Sequence, residues 1–109
     1  MITVLFHYIR AMYLYNVTII VENDKQKLIR QRIEALLFDH QHAAGSLSLL
    51  EMIDSPHKGT TYCVQLRAGG LAEIQAFQQS RLADFQEAIK QEYAEKVLLF
   101  DSIMKYLND

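Results

Sequence analysis

The sequence is poor in the residues that usually announce a chemistry. It has one cysteine, one proline, no tryptophan and a formal net charge of -2. The lone thiol, Cys63, cannot close a disulfide within the chain, which points to a reducing compartment and a cytoplasmic protein. There is no surplus of Lys and Arg to track a phosphate backbone, so nucleic acid is not an expected partner. An acidic tail is missing too. No linker, low-complexity tract or repeat divides the 109 residues, which suffice for one domain. A chain of this size buries roughly two-thirds of its unfolded surface, so it needs no metal or disulfide to fold.

Long charge-free runs are scarce as well. From Met1 to Val21 the only formal charge is Arg10, near the middle of that stretch. A charge there costs about 2.5–3.5 kcal/mol on insertion into a bilayer, which argues against a membrane span. Tyr, Thr, Val and Ile dominate the stretch and suit a strand. A secretory signal would need a positive start and a small-residue cleavage site, and neither is present. Residues 1–11 read as an appendage and Met12 as an alternative start, leaving a single domain over 12–109.

What is present is periodicity. Between Tyr13 and Val21, residues Tyr15, Val17, Ile19 and Val21 alternate with Asn16, Thr18 and Ile20, the period of a strand. Asn23 and Asp24 can cap a helix start. Leu28, Ile29, Ile33, Leu36 and Leu37 then recur at helical spacing, predicting a helix to about His40 or His42. Ala44-Gly45 breaks it. Ser46 to Asp54 reads as a second strand, Ser55 to Gly59 as a turn, and Thr60 to Arg67 as a third strand. In the third strand Tyr62, Val64 and Leu66 share one face, and Thr61, Cys63, Gln65 and Arg67 the other. Gly69-Gly70 leads into a second helix to about Tyr93, with Leu71, Ile74, Phe77 or Gln78, Leu82, Phe85, Ala88 and Ile89 as its stripe. Lys96 to Ile103 is the fourth strand, with a nearly continuous apolar run from Val97 to Phe100, and Met104 to Asp109 a short tail.

The order β-α-β-β-α-β predicts an α+β, ferredoxin-like sandwich with a four-stranded antiparallel sheet. Right-handed crossovers set both helices on one face. The other face stays uncovered and collects Asn16, Thr18, Ile20, Thr61, Cys63, Gln65 and Arg67. Such a mixture suits a second subunit or a ligand.

The remaining constellations have plainer readings. Cys63 lies among strand residues and reads as a small core thiol. His40 and His42 stand two apart at a helix end, beside Asp39, and point to different sides of a helix, so they chelate poorly. They read as solvated groups near the negative end of the helix dipole, and no metal or cofactor is expected. His57 sits in a turn, and Glu22, Asp24, Glu51 and Asp54 at strand ends. Gly69-Gly70 lacks the Lys and Ser/Thr of a phosphate loop. Tyr15 and Tyr62 fall on the helix side, unlike the stacking aromatics of an RNA-binding sheet.

The words Tyr15-Asn16-Val17-Thr18 and Gly59-Thr60-Thr61-Tyr62-Cys63-Val64-Gln65 resemble those of an uncharacterised bacterial family, domain of unknown function 4286. The resemblance runs from about Met12 to Leu107. It implies the same fold and no reaction. Members carry a His-Ile-Pro word where this chain has Leu36-Leu37-Phe38, and a His-Ala-Pro word where it has Gln79-Ser80-Arg81-Leu82. An activity resting on those histidines would not carry over.

Two functions follow as expectations. The first is a non-enzymatic homodimeric binding module, built by packing the open sheet faces or edges of two subunits, with Asn16, Thr18, Thr61, Cys63, Gln65 and Arg67 as the open-face contact residues. A small-molecule ligand at that face is the further partner expected. The second is a cofactor-independent enzyme of the dimeric α/β-barrel type, a small monooxygenase or isomerase, with Asn16, Thr18, Thr61 and Gln65 in its pocket and His40 as base.

Overall fold

Strand β1, Tyr13–Val21, is the spine of the molecule, because its alternating apolar residues leave no doubt about which side is inside. Tyr15, Val17, Ile19 and Val21 are all buried. The computed structural model describes residues 12–38 and 46–108. The expected appendage over 1–11, and His40 and His42, lie outside these residues.

After β1 come a single 3-10 turn, Asn23–Lys25, and helix α1, Gln26–Leu37. Strand β2 covers Leu47–Glu51 and strand β3 Thr60–Ala68. Helix α2, Leu71–Phe77, runs through one wide π turn, Gln78–Leu82, into helix α3, Ala83–Tyr93. Strand β4, Val97–Lys105, closes the order. The sheet runs β2-β3-β1-β4, antiparallel throughout, with β1 paired to β3 from Tyr13↔Ala68 to Val21↔Thr60 and to β4 from Tyr13↔Lys105 to Val21↔Val97. This is the α+β ferredoxin-like arrangement.

The helices bury one stripe each. Ile29, Ile33 and Leu37 of α1 meet Ile74, Phe77, Leu82, Phe85 and Ile89 over the inner side of the sheet. Each such side chain contributes about 1.5–3 kcal/mol by leaving water. Phe77 stands edge-on to Tyr15, with ring centroids 6.2 Å apart. The long helix explains the choice between Phe77 and Gln78 that its sequence leaves open. Phe77 and Leu82 are five residues apart, too far for one α-helical face. The π turn absorbs the extra residue, so both side chains reach the core.

Several boundaries differ from expectation. Asn23 does not cap α1: the 3-10 turn intervenes, and the Asn23 Oδ1 lies 3.4 Å from the Thr60 hydroxyl that donates to it. Strand β2 is shorter than Ser46–Asp54, its ladder closing with Met52 N–H donating to the Thr61 carbonyl. Strand β4 is longer, since Met104 and Lys105 pair with Leu14 and Tyr13 rather than forming a tail. Gly59 makes the β2–β3 turn with φ at +89°, and a Cβ there would lie 2.2 Å from the Val21 carbonyl oxygen. Only glycine fits.

Candidate functional site

Pleating sends alternate residues to the side that no helix among the described residues covers. The paired registers arrange them in transverse rows. One row, Ser48–Gln65–Asn16–Ser102, crosses all four strands and is wholly polar. The next, Leu50–Cys63–Thr18–Phe100, is half apolar. Beyond it lie Thr61, Ile20 and Leu98, and on the other side of the polar row Arg67, Leu14 and Met104. The face is therefore a polar ribbon between two apolar bands.

The ribbon is internally bonded. Gln65 Nε2 donates to Asn16 Oδ1 at 3.2 Å, and Asn16 Nδ2 donates to the Thr18 hydroxyl at 2.9 Å. These bonds fix the two amides, with Ser48 and Ser102 exposed beside them. The bands are wet but apolar: Leu98 is 59% exposed and Phe100 56%. Leu50 and Met104 are exposed too. Cys63 is partly exposed next to Thr18. At one end the Arg67 guanidinium lies 5.4 Å from the Tyr106 ring centre. Beside it Leu14, Met104, Lys105, Tyr106 and Leu107 line a hollow of about 260 Å³.

The open face thus gathers Asn16, Thr18, Cys63 and Gln65 as the alternation predicts, with Arg67 at its end. Thr61 is a correction. It has the right parity but is only 1% exposed, because Ser55 of the preceding turn folds over it with the two hydroxyl oxygens 2.7 Å apart. His40, the proposed base, falls outside the described residues. Sequence reasoning missed the contribution of β4. Leu98, Phe100, Ser102 and Met104 make one side of the face, and the unbroken apolar run at 97–100 carried the signal: a strand apolar on both sides has two faces to cover.

The other candidates resolve simply. His57, Asp24, Glu51 and Asp54 are exposed, and Glu22 pairs with Lys96 at 3.3 Å. Gly69 N–H donates to Glu73 Oε1, so a carboxylate of the chain itself occupies the turn before α2. Among the described residues no three His, Cys, Asp or Glu side chains converge to hold a metal ion, and no helix is long and apolar enough to cross a membrane. On the helix side, the Tyr15 hydroxyl donates to Asp101 Oδ2 at 2.6 Å. Burial, and then that bond, push the phenol up to about 12, so it stays protonated at neutral pH.

Sheet order, helix side and open face define a ferredoxin-like α+β domain, one sheet surface of which is left uncovered by the described residues. The chain belongs to the family described as Domain of unknown function (DUF4286), whose model matches residues 12–107. No curated protein matches the sequence. Solved structures that share the fold include three of unestablished or proposed function. A protein of unknown function from Nitrosomonas europaea has 12% identity and a TM-score of 0.62 over 92% of this chain and 93% of its own. A protein of unknown function from Bacteroides thetaiotaomicron, suggested to be an oxidoreductase, has 11% identity and a TM-score of 0.59 over 89% and 99%. A proposed antibiotic biosynthesis monooxygenase from Caulobacter crescentus has 12% identity and a TM-score of 0.57 over 93% and 92%.

Proposed function

We propose that the protein is a cytoplasmic homodimeric interaction module whose two open sheet faces pack on each other. One observation carries the reading: the uncovered face presents Leu50, Leu98, Phe100 and Met104 to water on both sides of a bonded polar ribbon. Exposed apolar bands of this kind beside polar groups mark an interaction site. Its size suits a second copy. Three strands of nine residues and one of five, spaced about 4.8 Å apart and rising about 3.3 Å per residue, give a flat footprint of roughly 500 Å² per subunit. Side-chain relief raises the accessible area above that, into the range of about 1,200 Å² in total where specific interfaces begin. The stripes are also self-complementary. A two-fold axis along the polar ribbon lays each ribbon on its copy and each Phe100 band on a Met104 band.

Light scattering on the eluting full chain at tens of micromolar tests this. A mass of two chains is expected, and a strictly single-chain mass contradicts it.

A second reading keeps the dimer and adds chemistry: a cofactor-independent enzyme holding a small molecule between the faces. The polar groups set among apolar ones favour it, as does the fold shared with the proposed monooxygenase of Caulobacter crescentus. Against it, the strand residues of the face include no histidine and no carboxylate among the described residues. The binding reading is preferred on that ground. Arg67 is the one cation among those strand residues, which gives nucleic acid little to hold.

A further inference from the structure

The two edges of the sheet are treated differently. Strand β2 is five residues long, a short edge of the kind that discourages pairing. Strand β4 is nine residues long, in unbroken register with β1, and among the described residues ends the sheet on its side. It contains no proline, glycine or bulge, and only Asp101 and Lys105 are charged. An edge left this long and this bare is a template for another strand.

The direction of its backbone groups follows from the ladder. Tyr106 N–H donates to the Met12 carbonyl, so the even-numbered residues of β4 bond toward β1. Val97, Leu99, Asp101, Ile103 and Lys105 therefore turn their N–H and C=O groups outward.

We propose that this edge is a seam between two copies, β4 against β4 in antiparallel register about Ile103. In that register Asp101 of each copy stands opposite Lys105 of the other, on the helix side. Ile103, 49% exposed in one copy, meets itself, and Phe100 meets Tyr106 on the open side. Neighbouring registers are worse. A two-fold at Asp101 sets the two carboxylates against each other, and one at Ser102 sets both charges against apolar residues. The groups are available for the pairing: Lys105 has no ion-pair partner among the described residues, and Asp101 engages Tyr15 through Oδ2.

The inference rests on the homodimer proposed above and sharpens it. An axis crossing the strands near Ile103 runs beside the Ser48–Gln65–Asn16–Ser102 ribbon. One two-fold can thus serve both the faces and the seam, with the sheets closing toward each other.

Sedimentation equilibrium on the full chain at low salt tests the seam through three variants. Lys105→Asp sets two acids together and is expected to weaken the dimer about tenfold or more, and the swap Asp101→Lys/Lys105→Asp to recover most of that loss. Ile103→Pro removes an outward N–H that the β1 ladder does not use, so it is expected to weaken the dimer while far-ultraviolet dichroism stays unchanged. If Lys105→Asp and Ile103→Pro both leave the affinity intact while Phe100→Ser dissociates the dimer, the seam is wrong and the face reading stands. If Lys105→Asp weakens the dimer and the swap recovers nothing, the register is wrong. A wild-type chain that is monomeric throughout overturns both.

Discussion

Replacing Phe100 with serine separates association from folding. Phe100 is 56% exposed on an edge strand and is absent from the buried core, so the isolated fold loses little with it. In the proposed dimer the exposed part of the ring is covered. A phenylalanine offers about 200 Å², so the 56% left in water is about 110 Å². At about 25 cal/mol per Å² this contributes about 2.8 kcal/mol per subunit, and about 5–6 kcal/mol for the two rings of a symmetric dimer. The dissociation constant should rise by about ten-thousandfold. Sedimentation equilibrium over a dilution series reads the constant, and far-ultraviolet dichroism checks the fold. A Phe100→Ser chain that keeps the wild-type mass across the series refutes the reasoning, as does one that unfolds outright.

Four further outcomes are expected. Gln65→Leu should change association more than folding, whereas Val64→Ala, on the same strand but facing the core, should cost about 1–3 kcal/mol in urea melts and leave the assembly alone. The Tyr62 hydroxyl is buried without a partner among the described residues, so Tyr62→Phe should keep or raise stability, by up to about 1 kcal/mol in the same melts. Tyr15 has a raised phenol pKa, so the folded state holds its proton more tightly than the unfolded chain. Its stabilisation is complete below pH 10 and is lost as pH rises through about 12; urea melts across that window should show the loss, and Tyr15→Phe should flatten it. Gly59→Ala should lower the melting temperature clearly, because the new Cβ meets the Val21 carbonyl in a positive-φ turn.

The inner side of the domain was legible because burial on one side enforces alternation. Val17, Ile19, Val64 and Leu66 could be assigned to the core from period alone, and the assignment of Asn16 and Gln65 to the other side followed by parity. The π turn was half legible: a five-residue gap between Phe77 and Leu82 fits no α-helical stripe, and the ambiguity at Gln78 was its trace. The Asn23 cap failed because Thr60, distant in sequence, competes for the same side chain. Thr61 was misjudged for a similar reason, since a turn residue from outside the strand covers it. The face itself was underestimated. Its apolar content comes largely from β4, whose neighbours are fixed by the sheet order and not by local pattern.

Cys63 supplies the most direct test of the central claim, because it is the only thiol and stands in the middle of the open face. Its rate of reaction with a small disulfide reagent can be followed on the full chain against protein concentration, beside Phe100→Ser. Packing of the faces predicts a thiol that is slow at high concentration, faster on dilution, and fast at every concentration in the variant. A rate that is the same in both proteins and indifferent to concentration would mean that the open face stays open.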